Sequence, residues 1–147
     1  MKLELSLVPP GGLTYWLFGL LDYMQKSEAW TRGRAGIDDI MRFLYTGQMN
    51  LWVVYDVEER EPYGFVITET KQYPRCRMLV VQYCAGEPNH MKFVEDQMFD
   101  TLERFAKDAG CAGIEFFGRP GWTPHAKQHG FDVRTIVYEK HFNEVQP

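Results

Sequence analysis

Cysteine is scarce in this chain, and its three residues stand apart. Cys76, Cys84 and Cys111 are odd in number and form no C-x-x-C pair. That argues against a disulfide framework and a cysteine-based zinc site, and it fits reduced, buried thiols of a cytosolic setting. Long hydrophobic runs are missing as well: the apolar stretch Leu13 to Leu21 is too short to span a bilayer. At the start, Lys2 and Glu4 alternate with Leu3, Leu5 and Leu7, which reads as a strand and not as a secretory leader. A soluble, intracellular protein is expected. There is no basic excess either; a formal charge of −4 gives no general attraction to DNA, RNA or anionic lipid. Arg32, Arg34 and Arg42 make one stretch locally basic, and Arg75 and Arg77 add to a strand, but no nucleic-acid motif accompanies them. Internal repeats and linkers are also lacking.

What is present is core material. Hydrophobic residues make up 45% of the 147 and aromatics 15%, which excludes disorder and low complexity. One domain, 1–147, would bury about 68–70% of its unfolded surface. The organising stretch runs from Arg77 to Gly110. Met78-Leu79-Val80-Val81 is too continuously apolar for a half-exposed strand and belongs in the middle of a sheet. Ala85-Gly86-Glu87-Pro88 breaks it, Asn89 supplies an N-cap, and a helix over 89–109 follows. Met91, Val94, Met98, Leu102, Phe105 and Ala109 form its apolar stripe, with Lys92, Asp96 and Lys107 off it. Gly110 ends it.

The remainder is read the same way. Leu3 to Val8 alternates as a first strand, and Thr14 caps a helix carrying Trp16, Leu17, Leu20, Leu21 and Met24. Ser27 to Gly36 looks like a mobile connection, and Ile37 to Tyr45 is a second helix closed by Gly47. Strands over 51–57 and 63–70 form a hairpin around the charged turn Glu58 to Pro62. After the long helix come a strand over 112–117, the restrained turn Gly118-Arg119-Pro120-Gly121-Trp122, and a short helix with Thr123 as N-cap and Gly130 as stop. Arg134 to Phe142 alternates as a last strand. The order βααβββαβαβ predicts an α+β domain with a mixed, mostly antiparallel sheet flanked by helices.

Few residues carry chemistry on their face. His125 and His129 lie four apart on one helical face, as metal ligands can, but HAKQH lacks the glutamate of H-E-x-x-H and no third ligand is evident. No metal is therefore expected, and the two read as helix-end histidines or as acid–base groups. Arg119 either binds a carboxylate or phosphate bidentately or braces its turn against Glu115, Asp132 or a carbonyl. Trp122 belongs to the core or to a ledge beside a cleft. Glu69, at the end of a hairpin strand, is the carboxylate best placed as a base if it points into such a cleft.

The element order, with the strand–helix–strand–helix–strand run of its second half, resembles the GCN5-related N-acetyltransferases. The resemblance covers nearly the whole chain. It implies that Cys84, Ala85, Gly86, Asn89, His90, Met91 and Lys92 lie along the acyl-CoA, with the pyrophosphate at the helix start and Gly130-Phe131 beside the pantetheine. It implies catalysis by a base among Glu69, Tyr83 and His129, and Arg119 and Trp122 facing a substrate or partner. The segments LWVVYD, KQYPRCRML, FFGRPGW and HGF are more narrowly similar to acetyltransferase-like proteins of tailed phages and prophages. That implies either a host-cytoplasmic enzyme using acetyl-CoA or a virion-associated protein binding phage or host proteins without catalysis. Two departures stand out. The Gln/Arg-x-x-Gly-x-Gly/Ala pattern is replaced by Ala85-Gly86-Glu87-Pro88-Asn89-His90, with one glycine, one carboxylate and one proline. The family's acidic tyrosine, four residues before the Gly-Phe pair, is Ala126 here.

Overall fold

The structure, a computed structural model, describes residues 2–26 and 28–143, with the side chains of Glu28, Ala29, Pro88, Met91 and Phe93 outside the description. The elements are β1 (Leu3–Leu7), α1 (Leu13–Lys26), α2 (Ile37–Tyr45), β2 (Asn50–Asp56), β3 (Pro62–Gln72), β4 (Arg77–Gly86), α3 (Pro88–Asp108), β5 (Gly113–Phe116) and α4 (Thr123–Gln128). The strands lie in the order β1-β2-β3-β4-β5. All neighbours are antiparallel except β4 and β5, which are parallel. The architecture is the α+β arrangement expected from the sequence, and the four predicted neighbouring strands are neighbours.

Why the central strands are apolar throughout is plain from what covers them. Leu51, Val53, Phe65, Ile67 and Tyr83 pack against Leu17, Leu20 and Met24 of α1 and Ile40 and Leu44 of α2. The alternate residues Trp52, Val54, Val66 and Leu79 pack against Val94, Met98, Phe99, Leu102 and Ala106 of α3. Both faces are covered, so period-two alternation disappears. The predicted stripe of α3 holds at Val94, Met98, Leu102 and Phe105, while Met91 falls among the undescribed side chains. Lys92, Asp96 and Lys107 face solvent.

One polar pair is sealed between the layers. Trp52 Nε1 donates to Thr68 Oγ1 at 2.9 Å, with both residues buried. Thr68→Val keeps the shape but strands the indole N–H, so a loss of about 1–3 kcal/mol is expected. Thermal unfolding should register it as a drop of roughly 2–4 °C per kcal/mol; an unchanged midpoint would mean that the indole finds another acceptor.

Several expectations are corrected. Thr14 does not cap α1, which begins at Leu13 after a short 3-10 turn over Pro10–Gly12; its hydroxyl instead meets the Tyr45 hydroxyl at 2.8 Å, tying α1 to α2. The connection read as mobile is built into the core: Trp30 stands edge-on to Phe65 and Tyr83 at 5.1 and 5.5 Å, and Thr31 is buried. Ser27, where that reading began, lies outside the described residues. Ala85 and Gly86 belong to β4, not to a loop, and Glu87, not Asn89, is the N-cap, with Pro88 first in α3. Thr123 is likewise the first residue of α4, and Trp122 the cap.

The last strand does not form. From Gly130 on, no ladder appears among the described residues, and Val133, Ile136, Val137, Tyr138 and Phe142 are exposed. Alternation marks a strand only where a partner edge offers cross-strand packing, and β5 is only four residues long. The segment is held at two points. The Phe131 ring packs on Phe99 and Phe116, and Glu139 accepts a hydrogen bond from Arg34.

Candidate active site

The site is made where β4 and β5 part company. Their parallel ladder runs from Met78 opposite Gly113 to Val81 opposite Phe116 and stops there. Beyond it β4 continues to Gly86 paired with β3 alone, so from Gln82 onward its other edge has no strand partner. At the same point the β3–β4 register shifts: Thr68 faces Val81 and Ile67 faces Tyr83, which leaves Gln82 as an extra, bulged residue. Such a bulge bends the strand and re-aims the side chains after it. Tyr83 consequently joins the core under α1 and α2, while Cys84 turns toward α3.

Around the bulge stand a carboxylate, a phenol and a guanidinium. Gln82 Nε2 donates to Glu69 Oε2 at 3.0 Å. Burial raises the Tyr83 hydroxyl above its ordinary pKa, opposed in part by the positive charge of Arg32. At neutral pH Tyr83 is therefore a proton donor, not a base. Arg32 Nη2 donates to the Gln82 carbonyl at 3.2 Å, and its guanidinium lies 5.8 Å from the Tyr83 ring centre and 5.2 Å from that of Phe117. Arg32 thus spans the gap between the end of β5 and the bulge, which sequence reasoning missed. One signal was available: an arginine directly before a glycine, Arg32-Gly33, in the turn between the two helices.

Of the predicted catalytic residues, Glu69 and Tyr83 are brought together, and Glu69 bears on the Tyr83 proton through its charge. His129 is not with them. It lies on the α3 side of the sheet, ring against Phe99 at 4.4 Å and Nε2 3.1 Å from Asp96 Oδ1. His125 Nδ1 sits 3.0 Å from Glu95 Oε1. The reading that no further donor accompanies these histidines is corrected: ligand atoms of Glu95, Asp96 and His129 lie within 4.8 Å of one another. The motif could not reveal this, because the carboxylates come from α3. We read the four side chains as a clasp between α3 and α4.

The predicted cofactor residues scatter. Gly86 is paired with Gly64 in the ladder, and Ala85 packs beside the core under α1 and α2. His90 stacks on Tyr63 at 4.4 Å, and its amide is taken by the Glu87 carbonyl at 3.0 Å. Pro88 carries no N–H, so within the first turn of α3 Asn89 keeps a free amide among the described residues. Asn89 and Lys92 are exposed, while nothing is described of the Met91 side chain. Burial, together with the neighbouring Glu87 carboxylate, pushes the Tyr23 phenol up to about 12. Arg119 is exposed and does not brace its turn against Glu115, whose carboxylate accepts from the Tyr73 hydroxyl at 2.5 Å. Trp122 is a partly exposed ledge beside Phe116, edge-on at 6.2 Å.

The arrangement of strands and helices over nearly the whole chain is similar to that of solved acetyltransferases. An acetyltransferase of Trypanosoma brucei matches with a TM-score of 0.69 at 13% identity, over 96% of this chain and 100% of that one. The glucosamine-6-phosphate N-acetyltransferase of Arabidopsis thaliana matches at 0.69 and 10%, over 97% and 100%. The ribosomal-protein-alanine N-acetyltransferase of Brucella melitensis matches at 0.68 and 14%, over 97% and 100%. The fold is that of the GCN5-related N-acetyltransferases. No protein-family model and no curated protein matches the chain, so the likeness of this acetyltransferase fold establishes architecture alone.

Cys84 is a half-buried thiol packed against the core under α3. Burial pushes its pKa from 9.0 to about 11, which holds it as the unreactive thiol. The native state binds that proton more tightly than the unfolded chain does. The associated stability is therefore complete below pH 9 and is lost as pH rises toward about 11. Alkylation by iodoacetamide at pH 8, followed by peptide mass mapping, should leave Cys84 unmodified. Rapid modification of Cys84 in the native protein would contradict its burial.

Proposed function

We propose that the chain is an N-acyltransferase that takes acetyl-CoA along the open edge of β4 and holds its pyrophosphate weakly. One observation carries this reading: the bulge at Gln82, where β4 parts from β5 and leaves backbone groups from Gln82 onward without a strand partner on that side. Acetyl-CoA would supply the acyl group as a thioester. Glu69, with one oxygen on the Gln82 amide, would take the proton released as the acceptor amine forms its bond to the acyl carbon. Tyr83, kept protonated by burial, is suited to return a proton to the departing sulfur. Alignment of amine and acyl group beside the bulge supplies the remainder without a covalent enzyme intermediate. The solved acetyltransferases of the same fold support the reaction class.

The first turn of α3 tells against tight pyrophosphate binding. A helix N-terminus attracts anions through free amides and about half a positive charge, yet here one amide is absent, one is taken, and Glu87 adds a negative charge. Those three features favour a second reading, a non-catalytic scaffold that binds a phage or host protein. The likeness of several short segments to phage and prophage proteins supports a phage setting for either reading. The deciding assay is release of CoA thiol from acetyl-CoA in the presence of a panel of primary amines, with mass spectrometry of the products. Amine-dependent release with an acetylated product is expected; hydrolysis at the no-amine rate throughout would leave the scaffold reading.

A further inference from the structure

Arg32 occupies a place that the reaction as written does not use. Its backbone lies in the left-handed region at φ 57, where a non-glycine residue is strained, and Gly33 follows at φ 68. The turn before it is fixed, since Trp30 packs on Phe65 and Tyr83 and its indole N–H donates to the Met24 carbonyl at 3.3 Å. The strained residue thus projects from a rigid base, and its guanidinium lies over Tyr83 and Phe117 at the bulge. One of its five N–H donors is on the Gln82 carbonyl. Arg34 and Arg42 pair with Glu139 and Asp39, whereas no carboxylate pairs with Arg32 among the described residues. A half-buried guanidinium with donors to spare, flanked by aromatic faces, is built to take a planar or tetrahedral anion bidentately.

We propose that Arg32 binds a carboxylate or phosphate carried by the acceptor amine, so that the acceptor is an amine-bearing acid. This rests on the acyltransferase reading, because it is the acceptor that must come to the bulge. A chain of net charge −4 has no general attraction for such a substrate, and the fixed Arg32 guanidinium beside Tyr83 supplies it locally.

Transfer from acetyl-CoA is measured to glycylglycine against glycylglycinamide, and to O-phosphoethanolamine against ethanolamine. In one pair the anionic member should win by about tenfold or more in kcat/KM, mostly through KM, as a charged hydrogen-bonded pair provides. The first pair reports a carboxylate and the second a phosphate. Arg32→Gln should bring the ratio near one, and Arg32→Lys should keep part of it. A ratio near one in the unaltered protein, or one that survives Arg32→Gln, overturns the proposal. If other primary amines are acetylated and none of these four is, the proposal is overturned; if no amine of any kind is acetylated, the acyltransferase reading fails, and Arg32 is then judged by binding alone. Its Nε–H resonance in a 1H–15N spectrum is titrated with N-acetylglycylglycine and with inorganic phosphate. A saturable shift with either supports the anion site, and no shift with both overturns it.

Discussion

Phe65→Ala is expected to lower the unfolding free energy by about 3–5 kcal/mol, the range for emptying a fully buried aromatic position. Phe65 has no exposed surface, lies in the first half of β3, and forms the wall against which Trp30 stands. The cavity would open under the turn that carries Arg32, so the loss couples the core to the proposed site. Urea unfolding followed by far-UV circular dichroism measures it, with an unchanged m-value showing that stability and not compactness has moved. Phe18 is the control: it is 82% exposed on the outer side of α1, and Phe18→Ala should stay within about 0.5 kcal/mol of the parent. A Phe65→Ala loss under about 1 kcal/mol would contradict the packing described for this face.

The second large effect is on turnover. Glu69→Gln preserves size and a hydrogen-bonding partner for Gln82 but removes the proton acceptor. A fall of about 100-fold in kcat is expected, the lower end of what a positioned base contributes. KM should change little, because the carboxylate acts on the proton of the attacking amine. Steady-state rates over a range of amine concentrations separate the two terms. A loss of less than about threefold would show that Glu69 only positions Gln82.

Much of the fold was legible because local and global signals agree. Gly47, Gly110 and Gly130, read as helix stops, all adopt positive φ, at 79, 74 and 84°. The fully apolar run at Met78 to Val81 predicted a strand covered on both faces, and Val80 and Leu79 are buried as expected. Where the reading failed, the missing information was non-local. Trp30 looked like part of a polar connection because its partners, Phe65 and Tyr83, are far away in the chain. Arg134 to Phe142 has the period of a strand, but whether an edge receives it is not written in its own residues. The site was half legible. Glu69 and Tyr83 were found from strand ends and the resemblance, while the clasp of His125 and His129 to Glu95 and Asp96 depends on how two helices cross. The bulge at Gln82 was invisible, since one extra residue in a ladder leaves the apolar pattern almost intact.

The central claim is that this acetyltransferase fold accepts acetyl-CoA along β4 with a poor pyrophosphate end. Isothermal titration calorimetry with acetyl-CoA at low salt tests it most directly, with the unaltered protein beside Glu87→Gln. The Glu87 charge lies at the helix start, where Coulomb repulsion of a doubly charged ligand amounts to about 1 kcal/mol or more. The account predicts measurable binding weaker than micromolar, tightened roughly five- to tenfold by Glu87→Gln. Micromolar or tighter affinity in the unaltered protein, or no binding by either, would contradict it.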